Sequence, residues 1–447
     1  MIRVPSSWYN IVPDLPRPLP PPRDPLSDDF SRIALLPKLF PAALLDQEFS
    51  AERFITIPPG ILDTYKRLGR PTPLVRAEGL EKYLKTPARI YYKREDVSPT
   101  GSHKVNTSIA QAYYAKSENV KTLVTETSAG QWGSALALAC ALFGLECLVF
   151  MTRSSYFQKP LRRTLMSMYG ARVVPSPSDM TEFGRRLLKE DPNHPGSLGI
   201  AISEAVEVVL NDDKAKYSLG SVLNFVTIHQ TVIGLEVLAQ LEELGEVPDI
   251  VVGCLGGGSN FSGISFPLIG KQLREGDFEK TEFVAVESQA APKLTRGVYR
   301  YDHADTAGYL PMLKMYTLGK DYVPPPIHAA GLRYHAASPI VSLLVREGIV
   351  KAMAYSQAEV LKAAEIFTKT EGLIPAPETA HAIKHVIERA RKCRQKGVEE
   401  TIVFCFSGHG LLDLQVYDRS RVEKNQAGEI LDHSVSAIIF PQLRREP

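Results

Sequence analysis

A glycine-rich segment is the first candidate for chemistry, because its composition suits a phosphate group. It runs Gly253-Cys-Leu-Gly-Gly-Gly-Ser-Asn-Phe, between a predicted buried strand ending at Val252 and a predicted helix from Phe261. Glycines let the backbone turn its amides inward, and polar residues at a helix N-terminus add donors. The segment lacks the Lys-Ser/Thr of a P-loop and the third small residue of a dinucleotide fingerprint. An ordinary glycine turn is the alternative to this predicted phosphate cup, which consists of Gly256, Gly257, Gly258, Ser259 and Asn260.

A lysine near a predicted helix start is the candidate nucleophile. Lys104 follows Ser98-Pro-Thr-Gly-Ser-His and opens a helical pattern that runs through Ala115. The partial positive charge of a helix N-terminus disfavours a second cation, so we expect a lowered pKa for this lysine. A neutral lysine amine forms Schiff bases with aldehyde cofactors, and the phosphate cup suits pyridoxal phosphate. Taken alone, Lys104 also fits a solvated surface charge.

A third segment, Thr125-Glu-Thr-Ser-Ala-Gly-Gln-Trp-Gly, follows a predicted strand and opens the next helix. Its backbone amides can hold the carboxylate of an amino acid, as helix N-termini hold anions. Glu126 is the acidic residue of this segment, and a helix-capping carboxylate is its alternative role. The predicted substrate-binding residues here are Thr127, Ser128, Ala129, Gly130, Gln131 and Trp132.

These segments lie between short apolar runs that alternate with helical patterns from about residue 89 onward. Such alternation predicts parallel sheets with crossover helices, and the number of strands predicts two α/β lobes. Ligands in these folds lie at the carboxyl ends of strands, where the three segments are found. We predict an N-terminal arm with the first helices over residues 1–70, an N-terminal lobe over 71–230 and a C-terminal lobe over 231–447. Part of 71–102 is assignable to either lobe.

Composition excludes several classes of function. The 447 residues include 52 basic and 50 acidic side chains without long charged runs, which disfavours nucleic acid as the main partner. The most apolar stretch, residues 135–145, is too short to cross a membrane. The five cysteines form no Cys-x-x-Cys pair, and His381 and His385 lack the glutamate of a zinc-protease motif, so we expect no metal site. Without a secretory pattern at the start, a cytoplasmic location is expected.

The motif Ser98–Asn106 and the phosphate cup together resemble the tryptophan synthase β chains, within the fold-type II pyridoxal-phosphate enzymes. Similarity extends in order over about residues 70–415, including Glu371–His381 and Phe406–Gly410. The resemblance implies two parallel-sheet lobes with the cofactor in the cleft between them, and usually a homodimer. It leaves open whether a monovalent cation binds to backbone carbonyls.

The resemblance also implies roles for particular residues. Lys104 carries the cofactor, with His103 and Asn106 beside it, and Glu378 lies near the imine side. Ser407 faces the pyridine nitrogen, and a serine there gives a weaker electron sink than an aspartate would. Elimination is therefore favoured over transamination. Glu126 faces the indole N–H and stabilises the positive charge that develops as C3 attacks.

Two departures from the common β chains resemble the longer, second type of the family. Eight of the first 25 residues are prolines, and Pro324-Pro-Pro-Ile-His forms a second rigid segment. The arm is expected to dock on the chain, and we expect weak or no stable binding to an α chain. Arg333 stands where common β chains place an aspartate that holds the hydroxyl of serine. A guanidinium grips phosphate, so O-phospho-L-serine becomes a donor candidate beside L-serine, unless Arg333 pairs with a structural carboxylate.

The predicted reaction joins indole to L-serine or O-phospho-L-serine and gives L-tryptophan. Two alternatives stay open. A serine or threonine deaminase shares the cofactor and the fold but releases pyruvate or a related keto acid, and Glu126 argues against it. A non-catalytic relative would keep the fold as a binding subunit, and the intact lysine and phosphate cup argue against that.

Overall fold

The computed structural model describes residues 2–26 and 31–418. The first residue, residues 27–30 and residues 419–447 are not described, so the ends of the predicted arm and C-terminal lobe lie partly outside it. Among the described residues, no helix is long and apolar enough to cross a membrane.

The described strands fall into two large parallel or mostly parallel sheets and two short antiparallel pairs. The strands are β1 (Ser7–Tyr9), β2 (Phe54–Thr56), β3 (Leu74–Arg76), β4 (Arg89–Arg94), β5 (Thr122–Thr127), β6 (Glu146–Thr152), β7 (Arg172–Ser176), β8 (Ala215–Ser218), β9 (Ile250–Cys254), β10 (Glu282–Ser288), β11 (Val298–His303), β12 (Met312–Thr317), β13 (Val350–Tyr355) and β14 (Thr401–Phe406).

Helices connect and cover these strands. The α-helices are α1 (Leu36–Leu39), α2 (Ala42–Glu48), α3 (Pro59–Arg67), α4 (Glu78–Leu84), α5 (Val105–Ser117), α6 (Gln131–Phe143), α7 (Arg153–Gln158), α8 (Pro160–Met168), α9 (Glu182–Glu190), α10 (Leu198–Leu210), α11 (Asn224–Gln230), α12 (Val232–Leu244), α13 (Ser259–Glu275), α14 (Lys293–Arg296), α15 (Pro339–Arg346), α16 (Gln357–Glu371) and α17 (Pro377–Lys396). Short 3-10 turns cover Val12–Asp14, Ile33–Leu35, Glu95–Val97, Ala330–Leu332 and Leu411–Tyr417.

The larger sheet has the strand order β13-β10-β9-β14-β4-β3. Its neighbours pair in parallel except for β3 and β4, which are antiparallel. The strand β14 is buried along its whole length, as expected for a strand with helices on both faces. Strands β3 and β4 pair into this sheet, so residues 74–94 share it with the C-terminal part of the chain.

The smaller sheet has the order β7-β6-β5-β8, and all of its strands are parallel. Strand β5 is central, so Glu126 lies opposite Phe150 of β6 near the carboxyl end of the sheet. Alternation of strand and helix along the sequence produces this parallel arrangement. The predicted α/β fold with two parallel-sheet lobes is confirmed.

The N-terminal arm docks against the rest of the chain. Strand β1 pairs antiparallel with β2, and Trp8 is fully buried against the ring of His229. The side chains of Tyr9 and Ile11 are also buried, and Val12 and Leu15 pack against the same core. Apolar residues among the prolines therefore fix the arm by burial, as expected from the sequence.

Candidate active site

One cavity collects the carboxyl ends of strands from both sheets. Strand β5 ends in the segment that carries Glu126, β9 ends at Cys254, and β14 ends next to Ser407. Lys104 reaches the same cavity from the residue before α5. The sequence places these residues far apart, and parallel pairing brings their strand ends together.

Lys104 lies at the N-cap of α5, and its Nζ donates to the carbonyl of Gly220 at 2.5 Å and to Ser259 Oγ at 2.7 Å. Its pKa is lowered to about 8, with burial as the largest cause. The predicted lowering holds, but we expected the helix N-terminus as its cause. The surrounding protein therefore supplies a lysine that is partly neutral near pH 8.

His103 links Lys104 to the other side of the cavity. Its Nε2 lies 3.2 Å from Ser259 Oγ, and its Nδ1 lies 3.3 Å from the carbonyl oxygen of Ser407. Burial, followed by the neighbouring charge of Lys104, lowers the pKa of His103 to about 3. The imidazole is therefore neutral at physiological pH and adds no second cation beside Lys104.

The phosphate cup closes one end of the cavity at the start of α13. Gly258 has φ +127°, a backbone conformation that side chains rarely adopt, and Ser259 begins the helix. A Cβ at Gly256 or Gly257 would collide with the carbonyl oxygen of Gly331 or the hydroxyl of Ser221. The glycines are thus needed for the close approach of three chain segments at this helix N-terminus.

Glu126 faces the cavity from the smaller sheet. Tyr217 donates its hydroxyl to Glu126 Oε2 at 2.5 Å, and Glu126 is 5% exposed. Burial is the largest cause that raises the pKa of this carboxyl to about 7, against the lowering effects of Tyr217 and Lys104. A carboxyl with this pKa can both accept a hydrogen bond and exchange a proton near neutral pH.

Residues 127–131, the carboxylate loop, join β5 to α6. Gly130 caps the helix with φ +91°, and Ser128 Oγ donates to the carbonyl of Ala330 at 2.7 Å. Trp132 turns its indole N–H to Thr125 Oγ1 at 2.7 Å, so its ring is held by the protein. The amides at the start of α6 form the helix N-terminus that we expected to hold a carboxylate.

Glu378 and Ser407 also line the cavity. Glu378 accepts hydrogen bonds from Gln131 Nε2 at 3.0 Å and from the amide of Gly331 at 2.8 Å. It therefore ties the carboxylate loop to the 3-10 turn that begins at Ala330. Ser407 Oγ lies 2.7 Å from Thr379 Oγ1 and 3.5 Å from Cys254 Sγ.

Most of the sequence-predicted site residues line this cavity. They are His103, Lys104, Glu126, Thr127, Ser128, Ala129, Gln131, Trp132, Gly256, Gly257, Ser259, Asn260, Glu378 and Ser407. Gly130 and Gly258 belong to its turns without lining it. The wall also includes residues that sequence reasoning missed, and these are Leu198, Gly220, Ser221, Cys254, Gly331, Leu332 and Tyr334.

Asn106 and Arg333 are placed outside the cavity wall. Asn106 accepts from Arg70 at 2.8 Å and donates to Glu95 at 3.0 Å within a buried polar cluster beneath α5. Arg333 is 5% exposed and donates to the carbonyl of Pro324 at 2.8 Å and to Ser154 Oγ at 3.4 Å. Burial lowers the pKa of Arg333 to about 10.

The side chains of the cavity fit a phosphorylated aldehyde. Lys104 supplies an amine with a lowered pKa 2.7 Å from the first residue of α13, so amine and phosphate cup lie side by side. Ser407 supplies a hydroxyl in the same cavity that can donate to a ring nitrogen. The residues present therefore match the predicted requirements of pyridoxal phosphate.

Comparison with known proteins agrees with this geometry. Residues 65–408 match the family described as pyridoxal-phosphate dependent enzymes. The tryptophan synthase beta chain 2 of Methanothermobacter thermautotrophicus is 60% identical over 93% of this chain and 96% of its own. The tryptophan synthase beta chain of Pyrococcus horikoshii is 59% identical over 93% of this chain and 90% of its own.

The chain belongs to the tryptophan synthase beta chain family. As a member of the pyridoxal-phosphate dependent enzymes, it is an enzyme that uses pyridoxal phosphate. The family predicted from the lysine motif and the phosphate cup is confirmed.

More distant solved structures share the fold. The L-serine ammonia-lyase of Rhizomucor miehei superposes with a TM-score of 0.59 at 18% identity, over 78% of this chain and 97% of its own. The processed threonine deaminase isoform 2 of Solanum lycopersicum gives 0.59 at 17% identity, over 91% and 99%. At such identities these structures support the two-lobe fold of the chain and carry no information on its substrates.

Proposed function

We propose that this chain condenses indole with L-serine or O-phospho-L-serine to form L-tryptophan. The observation that carries the proposal is the pairing of Lys104 and Glu126 in one cavity, with pKa values of about 8 and about 7. Curated relatives at 56–60% identity are named tryptophan synthase beta chains. A deaminase needs the amine of Lys104 but has no evident use for a buried carboxyl aimed at a second substrate.

Bound at Lys104, pyridoxal phosphate supplies an electron sink that stabilises a carbanion at the amino acid Cα. Lys104, with its lowered pKa, would take the proton from that carbon and return it later. The amides of the carboxylate loop would hold the α-carboxylate at the N-terminus of α6. Holding both groups of the amino acid orients it for loss of its β substituent.

Glu126 would act on the second substrate. A carboxylate that accepts the ring N–H of indole favours the positive charge that develops on the nitrogen while C3 forms its bond. Tyr217 holds Oε2 in place at 2.5 Å, which keeps the carboxyl aimed at the cavity. The low exposure of Glu126 keeps water from competing for that hydrogen bond.

The donor choice is a finer part of the proposal, and it rests on Arg333, which stands between the lining residues Leu332 and Tyr334 although it does not itself line the cavity. Its contacts are with the neutral oxygens of Pro324 and Ser154, and its Nε has no hydrogen-bond partner in the described chain. The described ion pairs include no carboxylate on Arg333. A buried cation without a counter-ion favours an anion nearby, and a phosphoryl group on the donor would provide one.

The test is tryptophan formation by the purified chain with indole and each donor in turn. We expect product from at least one donor, with a kcat/KM ratio that favours O-phospho-L-serine. Arg333→Ala should lower that ratio about tenfold or more, since charge-assisted hydrogen bonds to phosphate are lost. The exposed Arg185 provides a control, because Arg185→Ala should leave the ratio unchanged.

Two results would contradict these assignments separately. Formation of pyruvate from either donor without tryptophan would show that the chain is a deaminase and would refute the synthase assignment. Equal kcat/KM for both donors, unchanged in Arg333→Ala, would keep the synthase and remove the phosphoryl role of Arg333.

The partners follow from the same proposal. The substrates are small molecules, and we infer a homodimer with weak or no stable α-chain binding, because the arm is already docked on its own chain. Tight stoichiometric co-elution with a cognate α chain would contradict that inference. A cytoplasmic location and a monovalent cation on backbone carbonyls stay predictions.

A further inference from the structure

A second, mainly apolar cavity adjoins the one that holds Lys104. Both cavities have Glu126, Leu198, Ser221 and Tyr334 in their walls. Since shared residues mark the junction, the second cavity continues the active site beyond Glu126. Its wall is otherwise built mostly from aliphatic and aromatic side chains, which come from the N-terminal region, from residues 202–223 and from residues 304–313.

The N-terminal region completes this apolar cavity. Leu36, Phe40, Leu45 and Phe49 line it from α1, α2 and the residues beside them. Glu48, the last residue of α2, lines it as well. Glu48 and Glu126 are the two charged residues among the described residues of its wall.

A continuous set of contacts joins the two carboxyls. The amide of Phe225 donates to Glu48 Oε2 at 3.1 Å, and the rings of Phe225 and Phe40 lie 5.7 Å apart. The rings of Phe40 and Tyr217 also lie 5.7 Å apart, and Tyr217 donates to Glu126. Two ring-to-ring steps therefore link the two carboxyls along the cavity wall.

Glu48 is an unusual residue for an apolar wall. Burial raises its pKa to about 7, partly offset by the amides of Phe225 and Asn224. The Glu48 residue is half-buried, its carboxyl accepts amides only at the start of α11, and the described ion pairs include no cation on it. It therefore has acceptor capacity left for a ligand in the cavity.

We propose that Glu48 is a specificity-determining residue for the aromatic acceptor. It accepts a hydrogen bond from a hydroxyl or amino substituent on the ring edge remote from the ring N–H. The inference rests on the proposed function, in which Glu126 holds that N–H. With one carboxyl at each end, the apolar rings between them hold the flat faces of the acceptor.

The test compares acceptors of similar size that differ in a donor group. Steady-state kcat/KM is measured for 5-hydroxyindole, 5-aminoindole, 5-methylindole and unsubstituted indole with the full chain loaded with cofactor. We expect wild type to favour the hydroxy and amino compounds over the methyl compound. Glu48→Leu should lower that preference about tenfold, because the substituent then faces an apolar wall.

Matched variants separate recognition from folding. Asp46 lies on the same helix and is exposed, so Asp46→Leu should keep the wild-type preference. Glu48→Gln keeps an acceptor for the amide of Phe225 but offers the substituent a weaker, neutral one, so the preference should fall by a smaller factor. Unsubstituted indole should react at nearly the wild-type rate in Asp46→Leu, which lies outside the cavity wall.

The proposal fails if wild type shows no preference, or if folded Glu48→Leu and Glu48→Gln both keep it. Its failure differs from that of the proposed function. If indole itself gave no tryptophan in wild type, the synthase would be refuted, whereas indole turnover without donor-group preference would refute Glu48 alone.

Discussion

Two buried polar regions flank α5, and they differ in whether their charged side chains form ion pairs. Beneath the helix, Arg70 and Lys93 face Glu95 and Glu236, and each of these side chains is at most 5% exposed. Arg70 donates to both carboxylates and to Asn106, while Lys93 donates to Glu236, Gln240 and the carbonyl of Thr72. Two cations thus balance two carboxylates.

Beside the same helix start, the active-site cavity leaves its charges unbalanced. Lys104 contacts a carbonyl and a hydroxyl, and Glu126 contacts Tyr217, without an ion pair between them in the described chain. In the balanced cluster, burial alone would raise the pKa of Glu95, but the charge and hydrogen bonds of Arg70 lower it to about 2. In the cavity, burial moves both pKa values toward neutral. Full pairing stabilises the fold, and unpaired burial supplies reactive groups.

Substitution of Lys104 should have the largest effect on cofactor binding and activity. Lys104→Ala removes the amine that donates to Ser259 of the phosphate cup, so the chain should lose covalent cofactor binding and at least ~10³-fold of its activity. Absorbance of the bound cofactor after dialysis measures the first loss, and tryptophan formation measures the second. Lys93 lies outside the cavity, so it cannot take over the role of Lys104. Retained covalent cofactor in Lys104→Ala would refute the assignment of Lys104 as the nucleophile.

Removal of one charge from the balanced cluster should lower the stability of the fold. Glu236→Gln leaves Arg70 and Lys93 with a single carboxylate, which should lower the free energy of unfolding by about 3–5 kcal/mol. Urea denaturation of the cofactor-free chain measures it. The exposed pair of Lys369 and Glu365 provides the control, since Glu365→Gln should cost less than about 1 kcal/mol. Equal effects of the two substitutions would show that burial does not distinguish these charges.

Glu126 should affect the reaction with little effect on folding. Glu126→Gln keeps the size of the side chain but removes the negative charge that faces the indole N–H, so tryptophan formation should fall about 10²-fold. Release of keto acid from the donor should continue, because Lys104 and the carboxylate loop are unchanged. Parallel assays of tryptophan and keto acid measure the split. A variant that makes tryptophan at the wild-type rate would exclude Glu126 from the acceptor step.

Sequence patterns predicted the parts of this comparison that depend on local composition. The buried strands β4, β5, β6, β9, β10 and β14 follow apolar runs that are visible in the sequence. Lys104, the phosphate cup and Glu126 each stand at a strand-to-helix junction, where a parallel sheet must place them. The short strand β8 and the hairpin of β11 and β12 escaped prediction, because their burial depends on neighbours distant in sequence.

Features that depend on tertiary contacts were also out of reach. Gly220 and Tyr217 act through a carbonyl and a hydroxyl that carry no motif, so only the fold shows that they contact Lys104 and Glu126. The same holds for Asn106, whose position two residues after the lysine suggested the cofactor. Its side chain instead joins the cluster of Arg70, since α5 turns that face away from the cavity.

The smallest expected effect concerns the protonation of Lys104. Only the neutral amine reacts with an aldehyde, and a pKa of about 8 means that the neutral fraction rises about tenfold between pH 7 and pH 9 and then levels off. A solvated lysine would gain about 100-fold over that interval without levelling. Stopped-flow mixing of the cofactor-free chain with pyridoxal phosphate, followed by absorbance, gives the rate at each pH.

Substitution of Glu126 tests the direction in which a nearby charge shifts the pKa of Lys104. Glu126 is largely ionised above pH 7 and raises the pKa of Lys104 against the larger lowering by burial. Glu126→Gln removes that attraction, so the midpoint of cofactor capture should move to lower pH. A midpoint that moved upward, or stayed near that of a solvated lysine in both proteins, would contradict burial as the origin of the reactive amine.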